Sequence, residues 1–167
     1  MRQVEHAEHR PAPHHGREVH LVLDGLRDPL NVGQAFRVGA SLGVAHLHLC
    51  AGTPTPPAAK INRTARGAQH EVAWSAGPTL AALAGLAAAG VRTVAVEYAT
   101  ASRDVRAVAA EGPRGAAVAL VLGNEAHGVS AEALAAVDAV AHLPLYGRVS
   151  SLNVATALAL AAWEWVR

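Results

Sequence analysis

Apolar residues are distributed along the chain in two alternating kinds of run. Short continuous runs rich in Val, Leu and Ala are typical of strands buried on both faces, and they lie at residues 19–26, 45–50, 91–98, 116–123 and 139–145. Longer segments that mix Ala and Leu with polar residues predict helices at 31–43, at 78–89, shortly after Ser130 and from 151 to 166. This alternation predicts an α/β fold, with a mostly parallel sheet covered by helices on both faces.

Length and composition predict one domain behind a short arm. The chain has 167 residues, of which 51% are hydrophobic, enough for a single core over residues 19–167. Residues 1–18 are poor in apolar side chains and predict a flexible or docking arm. The arm carries His6, His9, His14 and His15, whose spacing fits no structural zinc pattern, so no metal site is expected.

Several protein classes are disfavoured by what the sequence lacks. Cys50 is the only cysteine, which rules out an intrachain disulfide, and no signal peptide or membrane-spanning run is visible. We therefore expect a cytoplasmic protein. The glycine-rich fingerprints of dinucleotide and nucleoside triphosphate sites are missing, as is the G-x-S-x-G turn of serine hydrolases.

Polar residues gather where three of the predicted strands end. After the first strand, "DGLRDPLNVGQAFR" places Asn31 as the expected helix cap, with Arg37 about one and a half turns further on. After the strand at 116–123, "LVLGNEAHGVS" gives Gly123, Asn124 and Glu125 before a helix that Ser130 is expected to cap. Because ligands of parallel sheets lie beyond the carboxyl ends of the strands, these segments are candidate site loops.

The third segment is "LPLYGRVSSLNVATALALA", which runs from a strand into the last helix. Ser150 or Ser151 is the expected cap of that helix. Asn153 then falls inside the helix, where asparagine is a poor helix former and calls for another role.

In this order, the three segments closely resemble the three motifs of the SpoU/TrmH family of RNA ribose 2′-O-methyltransferases, in the SPOUT superfamily. The resemblance covers residues 19–166 and implies a family of homodimers with a deep trefoil knot, although connection rules alone predict an unknotted sheet. It implies that S-adenosylmethionine is bound largely by main-chain groups of the knot loops. The implied cofactor-binding residues are Leu122, Gly123, Asn124, Leu143, Leu145, Ser151 and Leu152.

The resemblance also assigns the catalytic set, which consists of Asn31, Arg37, Glu125, Ser151 and Asn153. Methyl transfer needs an aligned ribose hydroxyl whose proton is removed, yet a guanidinium is a poor base. We therefore interpret Arg37 as a phosphate clamp and stabiliser of the developing alkoxide, and leave the general base open. Asn31, Asn153 and Ser151 are expected to form one cluster, and Glu125 to fix either Arg37 or the loop.

The RNA target follows less directly from the sequence. Lys60, Arg63 and Arg66 resemble the family's basic segment and are the candidate RNA contacts, against the alternative of a solvated helix face. Since little of the chain lies outside the catalytic domain, we expect tRNA rather than rRNA. Two alternatives are a SPOUT enzyme acting on a base nitrogen and a non-catalytic RNA-binding relative. Ala126 stands where the family commonly has glycine, which leaves substrate detail near that loop open.

Overall fold

A computed structural model describes residues 16–113 and 115–167, and it contains one sheet of seven strands. The strands are β1 (Val19–Asp24), β2 (His46–Cys50), β3 (Ala73–Gly77), β4 (Arg92–Val96), β5 (Arg103–Asp104), β6 (Val118–Gly123) and β7 (Ala139–His142). Their order across the sheet is β3-β2-β1-β6-β4-β7-β5, and every pairing is parallel. The predicted fold class is confirmed.

Six α-helices lie within the described residues and cover both faces of the sheet. They are α1 (Pro29–Leu42), α2 (Ala59–Ala65), α3 (Thr79–Ala88), α4 (Val105–Ala109), α5 (Ala131–Ala136) and α6 (Val154–Val166). One apolar core lies under α1, α2, α4 and α6, and includes Phe36, Leu120 and Leu158. A smaller core under α3 and α5 includes Val22, Leu83 and Val121. The central strands β1 and β6 contribute to both cores, which explains their continuous apolar sequence.

Several elements differ from the sequence predictions. The strands are shorter than the runs that predicted them, because residues at the start or the end of each run belong to the loops. No strand was predicted at β3, whose five residues are all exposed and therefore carry no apolar signal. Strand β5 and helix α4 were not predicted either. They have only two and five residues, which is too short for a periodic apolar pattern.

The two predicted caps at Asn31 and at Ser150 or Ser151 are wrong. Helix α1 is capped by Asp28, whose side chain accepts from Leu30 N at 2.9 Å, with Pro29 in the first position. Helix α6 is capped by Asn153, whose Oδ1 accepts from Ala155 N at 2.9 Å and from Thr156 N at 3.3 Å. Gly43, at φ 68°, ends α1, and Ser130 caps the start of α5 as predicted.

A buried carboxylate fixes the carboxyl end of the sheet. Asp24, the last residue of β1, is 4% exposed and lies beside Gly123, the last residue of β6. Its carboxylate accepts from the Thr79 hydroxyl at the start of α3 and from Ser130 N, 2.9 Å away, at the start of α5. A carboxyl group this deeply buried requires such partners, so Asp24 holds two helix ends against the strand ends.

Three histidines form a hydrogen-bonded group near the amino ends of β1 and β2. His48 Nε2 lies 3.4 Å from His20 Nδ1, and Ser75 Oγ lies 2.9 Å from His46 Nε2. Burial, together with the neighbouring imidazoles, lowers the pKa of His48 to about 4, and it also lowers the pKa of His46. These two side chains are therefore uncharged at neutral pH and add nothing to the attraction of an anionic partner.

Candidate active site

The three polar segments meet at one edge of the sheet because their strands run parallel. Asp24 of β1 pairs with Gly123 of β6, so the loops that follow these strands begin side by side. Strand β7 pairs with β4, which pairs with β6, and α6 returns across the sheet to pack against α1. The start of α6 thereby lies next to the start of α1.

Asn124 shapes the loop after β6. Its backbone exchanges two hydrogen bonds with Gly128, of 2.9 and 2.8 Å, and its Oδ1 accepts from Ala126 N and His127 N. Its Nδ2 donates to Gly25 O at 2.7 Å, which joins this loop to the one after β1. Because Asn124 holds the backbone amides of 126 and 127, the loop keeps its shape whichever side chains occupy these exposed positions.

The turn also requires glycine at its first position. A Cβ on Gly123 would lie 2.0 Å from the carbonyl carbon of Gly128, which is far too short for a contact between two non-bonded carbon atoms. Glycine at this position therefore lets the backbone at Gly128 and Val129 pack directly against the end of β6.

A chain of side-chain hydrogen bonds joins the three segments. Asn153 Nδ2 donates to Asn31 Oδ1 at 3.0 Å, and Asn31 Nδ2 donates to Glu125 Oε1 at 2.9 Å. The orientation of both amides follows from the two ends of this chain. Asn153 Oδ1 is occupied by the amides of α6, and a carboxylate only accepts, so each amide nitrogen must point towards Glu125.

Glu125 binds the loop that precedes α1. Its two carboxylate oxygens accept from Arg27 N at 3.0 Å and from Asp28 N at 3.1 Å, in addition to the Asn31 amide. Partial burial raises the pKa of Glu125, but these hydrogen bonds outweigh it and lower the pKa overall. Glu125 is therefore ionised at neutral pH, and its oxygens are occupied, which makes it an anchor for the loop and a weak candidate for the general base.

A cleft of about 510 Å³ opens beside this hydrogen-bond chain, a volume typical of sites for small organic ligands. All seven residues that were expected to bind the cofactor line it, namely Leu122, Gly123, Asn124, Leu143, Leu145, Ser151 and Leu152. Glu125 and Asn153 lie at the same cleft. The walls are mostly aliphatic, and Glu97 and Glu125 are the carboxylates among the lining residues.

Three further residues with polar side chains, which sequence reasoning missed, also line this cleft. Glu97, which follows β4, accepts from Val129 N at 3.0 Å and from Tyr98 N at 2.9 Å, so its carboxylate fixes two loops. Tyr98 and His142 stack with ring centroids 5.1 Å apart. Tyr98 follows β4 and His142 ends β7, and these two strands are neighbours in the sheet. Their place near the carboxyl ends of two predicted strands was the sequence signal that could have identified them as site residues.

Two members of the expected catalytic set lie outside the hydrogen-bond chain. Ser151 lines the cleft but is exposed and, among the described residues, its side chain forms no hydrogen bond, contrary to the expected cluster. Arg37 is exposed on α1 and contacts neither Glu125 nor any other charged group of residues 16–113 and 115–167. Six residues along a helix correspond to a rotation of about 120° between Asn31 and Arg37. Arg37 therefore faces solvent. Of the two partners expected for Glu125, the carboxylate binds the loop before α1 and does not bind Arg37.

The three candidate RNA contacts lie on the neighbouring helix. Lys60 and Arg63 belong to α2, Arg66 ends it at φ 53°, and all three side chains are exposed. Helix α2 packs closely on α1 because Gly33 leaves room for it, since a Cβ there would lie 2.7 Å from Thr64 Cβ. Arg37 and these three cations thus belong to one pair of packed helices on the same side of the sheet.

The part of the chain that the structure describes contains no cluster of three or more His, Cys, Asp or Glu side chains suited to a metal ion. None of its helices combines the length and the apolar content that a membrane span requires. Most of the predicted arm, residues 1–18, lies outside the described residues, and so do all four of its histidines. The interpretation of this segment as a flexible or docking arm therefore stays a prediction.

Residues 18–163 match the SpoU rRNA Methylase family. A 23S rRNA (guanosine(2553)-2′-O)-methyltransferase of Bacillus subtilis (strain 168) is 32% identical over 144 residues, which are 86% of this chain and 56% of that protein. A tRNA (guanosine(18)-2′-O)-methyltransferase of Thermus thermophilus is 30% identical over 98% of this chain and 79% of its own length. The chain spans only 56–60% of several of the curated relatives it matches.

Solved structures agree with the sequence matches. An AdoMet-bound rRNA methyltransferase from Sinorhizobium meliloti superposes with a TM-score of 0.81 at 29% identity, over 89% of this chain and 55% of that chain. A second structure, described as giving insights into the 2-OH methylation of C/U34 on tRNA, has a TM-score of 0.75 at 28% identity. It matches over 92% of this chain and 95% of its own.

Proposed function

We propose that this chain, which belongs to the SpoU rRNA Methylase family, transfers a methyl group from S-adenosylmethionine to a ribose 2′-hydroxyl of RNA. The observation that carries the proposal is the joining of all three polar segments by the chain Asn153, Asn31 and Glu125 at the edge of a ligand-sized cleft. Relatives named as guanosine 2′-O-methyltransferases support it.

The lining of the cleft fits S-adenosylmethionine. Aliphatic side chains of Leu122, Leu143, Leu145 and Leu152 suit the flat faces of an adenine, and main-chain groups of these loops suit its polar edge. The carboxylates of Glu97 and Glu125 give the cleft a negative potential, which favours a sulfonium cation. When bound, the cofactor supplies an activated methyl group.

In this proposal, the residues of the chain orient the acceptor and stabilise charge. Glu125 and Asn153 hold Asn31 in one orientation, so the site is built before RNA arrives. Arg37 binds the phosphate beside the target ribose and stabilises the alkoxide that develops on its oxygen. Ser151, exposed in the cleft, is free to hydrogen-bond to a ligand, and the general base stays open.

The proposed RNA surface is the exposed side of α1 and α2. Arg37, Lys60, Arg63 and Arg66 are exposed there, and arginine and lysine side chains of this kind neutralise backbone phosphates.

We propose tRNA as the substrate in preference to rRNA. Two matches that cover much of both chains support this choice, since both are named for tRNA. We also propose a cytoplasmic location, a single catalytic domain over residues 19–167 and the trefoil knot of the SPOUT fold.

We also propose that the chain works as a homodimer. Leu160 and Trp163 lie on the same side of α6 and are 49% and 54% exposed, and Leu30 of the adjacent α1 is 37% exposed. A helix with apolar residues on its outer side needs a partner to cover them, and a second copy of this chain offers the same surface.

Replacing Trp163 by glutamate is expected to convert the dimer into a monomer, because the substitution places a charge in the proposed interface. Sedimentation velocity at micromolar concentration measures the change. The matched control is Trp74→Glu, which alters a tryptophan of β3 that is 36% exposed and should leave the dimer intact. A monomeric wild-type protein would rule the interface out, and so would equal behaviour of the two variants.

The function itself is tested by offering the protein labelled S-adenosylmethionine and unmodified RNA. Label in a 2′-O-methylated nucleoside supports the proposal. Label on a base would identify a different methyltransferase, and cofactor-independent RNA binding without transfer would identify a non-catalytic relative.

A further inference from the structure

Tyr98 is hydrogen-bonded to the loop after β7 at the cleft. Its hydroxyl donates to Leu143 O and accepts from Leu145 N at 3.3 Å, while its ring stacks on His142 at an interplanar angle of 22°. Leu143 and Leu145 lie in the loop after β7, and both line the cleft. The phenol therefore uses one carbonyl and one amide of the loop whose main chain is proposed to bind the cofactor.

The carbonyl of Leu143 and the amide of Leu145 also suit the polar edge of a purine base. One carbonyl acceptor and one amide donor, two residues apart, match the polar edge of adenine, where the 6-amino group donates and N1 accepts. The tyrosine hydroxyl makes the same two contacts with a single atom. A phenol and an adenine cannot both be bound by these groups at once.

We infer that the Tyr98 hydroxyl competes with the adenine of S-adenosylmethionine for Leu143 O and Leu145 N and must leave them when the cofactor binds, an inference that rests on the proposed function. Tyr98 is 54% exposed, so its side chain has a route into solvent. Its backbone is held separately, because Tyr98 N donates to the Glu97 carboxylate, which also binds Val129 N. Rotation of the side chain thus leaves the main chain of the cleft in place.

The consequence is a lower apparent affinity for the cofactor. Only molecules with Tyr98 displaced bind it, so the apparent dissociation constant is the intrinsic one divided by the fraction of protein in the displaced state. Tyr98 would also keep the loop after β7 ordered, with its polar groups paired, until the cofactor arrives.

Calorimetry with S-adenosylmethionine on the full chain tests this inference. Tyr98→Phe keeps the ring that stacks on His142 and removes the two hydrogen bonds, so it should bind the cofactor about three- to tenfold more tightly than wild type. The matched control is Tyr146→Phe, since Tyr146 is 84% exposed, lies in the same loop and does not line the cleft. Its affinity should equal that of wild type. Unchanged or weaker binding by Tyr98→Phe overturns the inference.

A second measurement follows the side chain directly. The chain contains two tyrosines, so incorporation of 3-fluorotyrosine gives two fluorine resonances, which Tyr146→Phe assigns. Titration with S-adenosylmethionine should shift the Tyr98 resonance towards that of solvent-exposed fluorotyrosine and leave the Tyr146 resonance in place. A Tyr98 resonance that stays unchanged when calorimetry proves the site is filled contradicts displacement.

A cofactor analogue in which the donor and the acceptor of the purine edge are exchanged tests whether Leu143 O and Leu145 N bind the base. S-inosylhomocysteine carries an acceptor at position 6 and a donor at N1, so it should bind more weakly than S-adenosylhomocysteine at the pair formed by Leu143 O and Leu145 N. Equal binding of the two analogues would contradict this assignment. If neither S-adenosylmethionine nor S-adenosylhomocysteine binds wild type or Tyr98→Phe, the proposed function fails and the inference falls with it.

Discussion

Replacing Arg37 by alanine should lower the single-turnover rate of methyl transfer by about 10²- to 10³-fold and leave the affinity for S-adenosylmethionine unchanged. Arg37 is exposed, contacts no charged group of the described residues and does not line the cleft, so its removal disturbs neither the fold nor the cofactor site. Its proposed role is limited to the phosphate and the developing alkoxide of the acceptor. Quenched single-turnover assays at saturating RNA, together with calorimetry, separate the two quantities.

Three matched variants sharpen this test. Arg37→Lys should restore activity only in part, because a point charge cannot reproduce a planar guanidinium. Gln34→Ala changes another exposed residue of α1 and should behave as wild type. Arg63→Ala should weaken RNA binding and reduce the log-log salt slope by roughly 0.7 to 0.9, with the single-turnover rate retained. Normal transfer by Arg37→Ala, or loss of cofactor affinity as its main defect, would mean that the arginine has no catalytic role.

Replacing Glu125 by glutamine should destabilise the protein and slow methyl transfer. Three donors converge on the carboxylate, and a glutamine offers them one oxygen and turns an NH2 group towards the rest. Because Glu125 is partly solvated, we expect a loss of about 1 kcal/mol in the free energy of unfolding. The misplaced Asn31 should cost about a hundredfold in single-turnover rate.

Urea denaturation measured against pH checks the origin of the stability loss. The pKa of Glu125 is lowered in the folded protein, so its stabilising contribution is present above the pKa of a free glutamate and is lost as the pH falls through the folded value. The difference between wild type and Glu125→Gln should therefore shrink in acid. Glu71→Gln, a change of an exposed glutamate without a side-chain hydrogen bond among the described residues, is the control. A Glu125→Gln protein with wild-type stability and rate would show that the hydrogen-bond chain is dispensable.

The sequence predicted the fold well where burial leaves a periodic signal. Strands β1 and β6 are buried on both faces, and their continuous apolar runs located them to within two residues. Strand β3 gave no such signal, because an exposed edge strand has no face to make apolar. Hence the sheet has more strands than its sequence pattern predicts.

The positions of the helix ends depend on contacts that a sequence pattern does not contain. The sequence pattern places Asn153 inside α6 because two serines precede it, yet its side-chain amide caps the helix and also reaches Asn31. Asp28 caps α1 because Pro29 fixes the first helical position, which moves Asn31 into the first turn. From there its side chain points between two other segments, a placement decided by the tertiary fold.

The family resemblance predicted part of the lining of the cleft, but not the part formed by Glu97, Tyr98 and His142. Leu143 and Leu145 lie in the third polar segment, whereas Tyr98 follows a strand that belongs to none of the three segments. Only the pairing of β4 with β7 brings Tyr98 to the loop it binds. Such a contact, 45 residues apart in the chain, requires the strand order of the sheet.

The proposed methyl transfer is detected by mass spectrometry of RNA nucleosides after incubation with CD3-labelled S-adenosylmethionine. RNA from cells that lack the gene is incubated with the purified chain, separated into tRNA and rRNA, and digested. We predict the CD3 group on the ribose 2′-oxygen of a nucleoside from the tRNA fraction, and its loss with Arg37→Ala. A CD3 group on a base, or no labelled nucleoside from a protein that binds the cofactor and RNA, would contradict the proposed function.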